Sequence, residues 1–141
     1  MKKTLAWSAL LLSSITGCGE TLTGVQSPQT GCSANAVLIL VGDGFVQNFC
    51  GCQEASGTLA TSGQNLTCTF AVGKTVIFQY QPGRLHHQII PVGTPAIIDG
   101  PVYDPNASVP IRSFSHVPAA AGTYRFQDSF NTAVSGQLVV Q

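Results

Sequence analysis

The chain has 141 residues, six basic and six acidic side chains, and a charged fraction of only 9%. This composition excludes a basic nucleic-acid-binding protein, because there is no excess of positive charge. It also excludes a disordered polyelectrolyte, because 44% of the residues are hydrophobic and can fill a core. The 15 Gly and 8 Pro favour turns over long helices.

The N-terminus has the pattern of a bacterial lipoprotein signal. Lys2 and Lys3 precede an uncharged, Leu-rich run that is too short for a transmembrane helix. The run ends in Ile15-Thr16-Gly17-Cys18, which resembles a lipobox. The resemblance implies that residues 1–17 are removed, and that Cys18 carries diacylglycerol on its sulfur and an acyl chain such as palmitate on its amino group. Two or more acyl chains anchor a protein stably to a membrane.

The sequence after Cys18 divides into a tether and one domain. Residues 18–31 are rich in Thr, Gly, Ser, Gln and Pro without periodicity, and we predict a flexible tether. Residues 32–141 are enough for a single domain, which we expect to be monomeric. After removal of residues 1–17, four Lys and Arg face six Asp and Glu, which leaves a net charge of −2. We expect the cell envelope as the location, and Gly19 rather than Asp after the lipidated cysteine favours the outer membrane.

Four further cysteines indicate two disulfides, because export places them in an oxidising compartment. They are Cys32, Cys50, Cys52 and Cys68. A bridge between Cys50 and Cys52 would close a very tight ring, which the usual Cα separation disfavours. Two pairings remain open, 32–50 with 52–68 and 32–52 with 50–68.

From Cys32 onward, short strands alternate with turn signals. The predicted strands include an apolar run at 36–41, a weak candidate at 57–62, and further segments at 66–72, 75–80, 87–91, 96–99, 111–117, 122–128 and 136–141. Seven to nine short strands without an amphipathic helix predict an all-β fold, a Greek-key β-sandwich or barrel.

Four segments follow one another in a recognisable order: AVGKTVIFQY (71–80), LHHQII (85–90), AAGTYRFQDSF (120–130) and SGQLVV (135–140). This order resembles that of the cupredoxins, the small β-sandwich proteins related to plastocyanin. The resemblance covers 36–141, with an insertion between Phe45 and Cys68. It implies a cupredoxin-like Greek-key sandwich, with a type 1 copper site at one end.

The copper ligands of the family transfer only in part. His87 matches the first histidine ligand, but Asp128 stands where the family has its cysteine thiolate. Asn131 falls near the second histidine and Val134 near the methionine. A blue-copper site needs two imidazoles and a thiolate, so the resemblance implies a degenerate site here.

Two interpretations of these polar residues stay open. In the first, His87, Asp128 and His116 form a mixed nitrogen and oxygen site that would suit Cu(II) or Zn(II). In the second, His87 is a half-buried histidine that hydrogen-bonds backbone carbonyls, and Asp128 is a structural carboxylate that accepts N–H groups of 129–131. Cys50 and Cys52 could likewise be a Cu(I) thiolate pair instead of disulfide cysteines.

The sequence contains no Ser/His/Asp motif and no phosphate-binding Gly loop, and we expect no enzymatic activity. The first hypothesis is therefore a non-catalytic, lipid-anchored binding or envelope module with a cupredoxin-like domain. The second is a copper-binding or electron-transfer cupredoxin with altered ligands.

Overall fold

The computed structural model describes residues 32–53 and 65–141. These residues form eight β-strands: β1 Ala36–Gly42, β2 Phe45–Cys50, β3 Asn65–Phe70, β4 Thr75–Tyr80, β5 Ile89–Pro91, β6 Ser113–His116, β7 Gly122–Asp128 and β8 Ser135–Val140. The all-β prediction of about seven to nine strands is therefore confirmed. The predicted signal peptide, Cys18, the tether and the weak strand at 57–62 lie outside the described residues.

The strands form two mixed sheets of four. The first sheet has the order β2-β1-β4-β6, and the second has the order β3-β8-β7-β5. The pairs β1 with β4 and β3 with β8 are parallel, and the other neighbours are antiparallel. Parallel neighbours cannot be joined by a hairpin, so the chain crosses to the other sheet between them.

The core lies between the two sheets, where alternate side chains of each strand meet. Val76, Phe78 and Tyr80 of β4 are fully buried, as the period of two in that strand predicts. Phe78 contacts Phe126 of the opposite sheet edge to face, with ring centroids 5.1 Å apart. This aromatic pair joins the two layers and adds to the area-dependent burial energy.

The sequence pattern predicted β4 and β7 with the bounds that the structure has, but it did not indicate β2. In β2 the inward positions are Val46 and Asn48, so a polar side chain interrupts the alternation. No strand forms at 96–99. The segment at 87–91 is shortened to β5, and His87 forms an isolated bridge with Tyr103.

The structure selects one of the two open disulfide pairings. Cys32 is bonded to Cys50, and Cys52 is bonded to Cys68. The second bond joins the end of β2 in one sheet to the fully buried Cys68 of β3 in the other. It therefore links the two layers covalently at the edge where β2 and β3 meet. The alternative of a Cu(I) thiolate pair is wrong, because both Cys50 and Cys52 are disulfide-bonded.

The register of β1 and β4 distinguishes the two ends of the sandwich. Ala36 at the start of β1 pairs with Thr75 at the start of β4, and Val41 near the end of β1 pairs with Tyr80 at the end of β4. The described chain begins at Cys32, so it enters at the first of these ends. His87 follows β4 and lies at the second end. In the described part of the chain, no helix has the length and apolar character needed to cross a membrane.

Candidate functional site

His87 lies in a buried aromatic slot at the end of β4. Its side chain is 1% exposed. The ring packs beside those of Tyr80 and Tyr103, with centroids 6.2 Å and 5.8 Å away and interplanar angles of 14° and 20°, and the two tyrosine rings are 5.9 Å from each other. Two backbone hydrogen bonds between His87 and Tyr103 fix the segment in place. The imidazole therefore has one orientation, with its two nitrogen atoms directed at opposite neighbours.

Each ring nitrogen of His87 contacts a carboxylate. Nδ1 lies 2.7 Å from Oδ2 of Asp128, and Nε2 lies 3.0 Å from Oδ1 of Asp43. A neutral imidazole has one donor and one acceptor, whereas an ionised carboxylate only accepts. Both contacts are favourable together when the ring is protonated and donates from both nitrogens. We call this unit, Asp43–His87–Asp128, the histidine clamp.

Asp128 is the fixed half of the clamp. It is fully buried at the end of β7. Its Oδ1 accepts the backbone N–H groups of Gln88 (3.1 Å) and Phe130 (3.0 Å), while its Oδ2 is used by His87. A buried carboxylate costs much free energy unless it is paired and hydrogen-bonded, and this one is both. The bond from Phe130 lies within 129–131, where the sequence placed the partners of a structural carboxylate.

Asp43 is the outer half of the clamp and was not predicted from the sequence. It sits in the turn between β1 and β2, with a side chain that is 36% exposed. Its carboxylate also accepts the backbone N–H groups of Arg84 (2.9 Å) and Leu85 (3.3 Å). The only local signal is an acidic residue between two glycines after a buried strand. Nothing in that signal identifies a histidine 44 residues further on as its partner.

The clamp shifts the pKa of His87 and the pKa of Asp43 in opposite directions. Burial by itself lowers the pKa of His87, but the hydrogen bonds to Asp128 and Asp43 outweigh burial and raise it above the usual 6.5. The backbone N–H of Arg84, with that of Leu85 and the imidazole of His87, lowers the pKa of Asp43 below 3.8, although partial burial opposes this. Both shifts favour the charged forms, as expected for a carboxylate beside an imidazolium.

We predict that the clamp stabilises the fold within a defined pH window. The raised pKa of His87 means that its contribution is complete below 6.5 and is lost as the pH rises through the raised value. The lowered pKa of Asp43 means that its contribution is present above 3.8 and is lost as the pH falls. The excess unfolding free energy of the wild type over His87→Gln, measured in denaturant titrations, should therefore decline as the pH rises above 6.5.

The control for that measurement is His116. Burial lowers the pKa of His116, so its contribution is present above 6.5 and is lost as the pH falls, opposite to that of His87. The unfolding free energy of a His116→Gln variant, relative to His87→Gln, should show the same decline at alkaline pH as that of the wild type. A difference between wild type and His87→Gln that stayed constant over this pH range would contradict a charged clamp.

His116 does not join His87 and Asp128. It pairs with Val76 at the start of β4, whereas His87 stacks on Tyr80 at the end of that strand. Four residues of strand separate these positions by about 13 Å. The His116 ring lies beside Tyr124, and among the described residues its Nε2 has no hydrogen-bond partner. The predicted set of three metal ligands is therefore not assembled, because the strand register places His116 at the other end of the sandwich.

The other positions of the expected copper site also carry no metal ligand in this structure. Val134 is fully buried in the core, and its backbone carbonyl accepts the N–H of Asp128. Asn131 forms the turn that leads to Val134. His86, next to the clamp, pairs instead with Asp104 at 3.1 Å near the surface.

The residues at this end do not fit a type 1 copper ion. Such a site needs two imidazoles and a thiolate. At this end the described residues offer His87 and the exposed His86, which pairs with Asp104, but no sulfur, since Cys32, Cys50, Cys52 and Cys68 are in disulfides elsewhere. The polar atoms of His87 and Asp128 are already hydrogen-bonded to protein groups. Within residues 32–53 and 65–141, no group of three or more His, Cys, Asp and Glu is placed to hold a metal ion.

Comparisons with known proteins add a likeness in structure. No family model and no curated protein sequence matches the chain. Among solved structures, a purple cupredoxin from Nitrosopumilus maritimus is 19% identical, covers 74% of this chain and 98% of its own, and has a TM-score of 0.46. A Cu(I) amicyanin variant is 18% identical, and a reduced amicyanin variant is 16% identical, with TM-scores of 0.47 and 0.49. Each of these amicyanin matches covers 79% of this chain and 87% of the other. At these identities the likeness concerns the fold, and the chain is an all-β protein with cupredoxins among its structural neighbours.

Proposed function

We propose that this chain is a lipid-anchored, non-catalytic binding module of the bacterial cell envelope, in which the histidine clamp replaces a copper centre. The anchor rests on the lipobox-like Ile15-Thr16-Gly17-Cys18 sequence. The binding role rests on the position of the clamp. Since the described chain enters at the end opposite His87, a tether would join the domain at the end remote from the clamp.

The contact between His87 and Asp128 is the observation that argues most directly against blue-copper chemistry. The imidazole nitrogen that lies 2.7 Å from Oδ2 of Asp128 donates a proton where a copper protein would donate an electron pair. A metal would have to displace this proton and break a charge-assisted hydrogen bond between two buried groups. It would gain only two strong ligands for that cost.

The same contact supports the second candidate function, a metal-binding module with altered ligands. On loss of the proton, Nδ1 of His87 and Oδ2 of Asp128 could both bind one Cu(II) or Zn(II) ion, with Asp43 orienting the ring from its other side. Copper uptake would then require a solvent ligand and would release a proton.

A metal titration separates the two candidates. We expect the mature chain (residues 18–141, with Cys18→Ala to remove the lipid) to bind neither Cu(II) nor Zn(II) stoichiometrically in calorimetry, and to show no intense visible absorption. The matched control is His87→Gln, which keeps a polar side chain but lacks the imidazole. One equivalent of metal bound by the wild type and not by the control would establish the second candidate.

The anchor has its own test. We expect the full chain, expressed in a Gram-negative host, to incorporate labelled palmitate and to fractionate with membranes, because two or more acyl chains bind essentially irreversibly. Cys18→Ala should abolish both. Gly19→Asp should keep the label and move the protein from the outer to the inner membrane. Release of an unlabelled wild-type protein into the periplasm would contradict the anchor.

A further inference from the structure

The loop between β4 and β5 forms a cradle around one carboxylate. The cradle consists of three N–H donors that converge on Asp43: the backbone amides of Arg84 and Leu85, at 2.9 Å and 3.3 Å, and Nε2 of His87, at 3.0 Å. Successive backbone N–H groups that point into one concavity are a common way of binding anions. Here the third donor is the side chain of His87, which can carry a positive charge and is almost fully buried.

The cradle is held in place by groups other than Asp43. Asp128 and the rings of Tyr80 and Tyr103 fix the orientation of His87. The N–H of Gly83 donates to the hydroxyl of Tyr103 at 3.3 Å, which ties the start of the loop to the same aromatic slot. The imidazole donor and the start of the loop are therefore positioned by groups other than the carboxylate that they surround.

The shape of the cradle also matches a carboxylate. A Cβ atom on Gly83 would lie 2.8 Å from Cγ of Asp43 and would collide with its Oδ1. The absence of a side chain at residue 83 thus leaves the space that the carboxylate fills. The φ of Gly83 is not in the left-handed region, so space rather than backbone conformation is what glycine provides here.

Asp43 is an occupant that can leave. It lies at the tip of the β1–β2 hairpin, between Gly42 and Gly44, and Gly44 has a φ of +82°. More than a third of its side chain is exposed, whereas Asp128 on the other side of the same imidazole is fully buried. Withdrawal of Asp43 would uncover Nε2 of His87 and the two amides without disturbing the core.

We propose that this cradle is a binding site for the carboxylate group of an external ligand, and that Asp43 occupies it as an intramolecular competitor. The proposal rests on the proposed binding function and gives it a ligand class. The carboxylate of the ligand would accept hydrogen bonds from the imidazolium and the two amides, while Asp128 holds the imidazolium from the inner side. An intramolecular occupant at high effective concentration weakens binding of external carboxylates until a ligand makes further contacts.

The test is chemical rescue of Asp43→Ala by sodium acetate in the mature chain. We expect acetate to shift the amide signals of Arg84 and Leu85 and the Nε2 signal of His87 saturably, with half-saturation in the millimolar range. We also expect the melting temperature to rise by about 2–5 °C at about ten times that concentration, compared with chloride at equal ionic strength. The wild type should need at least about tenfold more acetate for the same response. The same titration with N-acetylglycine and with a capped aspartate would show whether the site prefers a chain-terminal or a side-chain carboxylate.

The matched control is the double variant Asp43→Ala/Gly83→Ala. The added methyl group fills the space that the carboxylate leaves, so the double variant should fold and lose the acetate response. If Asp43→Ala folds only when acetate is present, the proposal is supported in the strongest form. It is overturned if acetate has no saturable effect on Asp43→Ala, or if the wild type or the double variant responds to acetate as strongly as Asp43→Ala does. These outcomes are independent of the metal titration, so the cradle can fail while the proposed function stands.

Discussion

Asp128→Ala should lower the free energy of unfolding by about 3–5 kcal/mol, because it leaves a buried charge without its partner. The substitution removes an acceptor of three hydrogen bonds, from Nδ1 of His87 and from the amides of Gln88 and Phe130. The bond from His87 is buried and those from the two amides are part-buried, so water replaces the lost acceptor poorly, above all for the imidazole. Urea titrations near neutral pH, analysed for midpoint and slope, would measure the loss.

The controls for Asp128→Ala are two other acidic residues at the same end of the sandwich. Asp43→Ala removes the second carboxylate of the same histidine from a position that is 36% exposed, and the loss should be clearly smaller. Asp104→Ala removes the partner of His86, whose side chain is 42% exposed, and should change stability by no more than about 1 kcal/mol. Equal losses for Asp128→Ala and Asp104→Ala would show that the buried clamp does not stabilise the fold.

Removal of the Cys52–Cys68 disulfide by a double alanine substitution should cost about 3 kcal/mol, from the entropy of a loop whose ends are 16 residues apart. Cys68 is fully buried between the sheets, so the lost sulfur atom adds a packing penalty. The Cys32–Cys50 bond closes a loop of nearly the same length, with a separation of 18, and lies nearer the surface. The double alanine variant of that pair should therefore lose somewhat less stability.

The pairing itself can be tested with the same variants. Only Gly51 separates Cys50 from Cys52, so no specific protease can cut between them and peptide mapping is difficult. In a Cys18→Ala background, the Cys32→Ala/Cys50→Ala variant should contain no free thiol after denaturation without reductant, because Cys52 and Cys68 stay bonded. Two free thiols in that variant would indicate the pairing 32–52 with 50–68.

The clamp shows how far site prediction from the sequence could reach. The alternation of Tyr124, Phe126 and Asp128 placed an acidic side chain on the inner face of β7, and the structure has Asp128 fully buried there. The resemblance to the cupredoxins put a histidine near it, since His87 matches the first histidine ligand of that family. It could not supply Asp43, because the turn between β1 and β2 meets the loop after β4 only through the parallel pairing of β1 with β4.

The local pattern of the sequence by itself determined the all-β class, the bounds of β4 and β7, and the faces on which their residues lie. These features depend on neighbouring residues only, because side chains alternate along any strand. Which strand ends meet depends on register between segments far apart in the chain. That register alone decided that Cys50 pairs with Cys32, that His116 lies about 13 Å along the sheet from the clamp, and that Asp43 reaches His87.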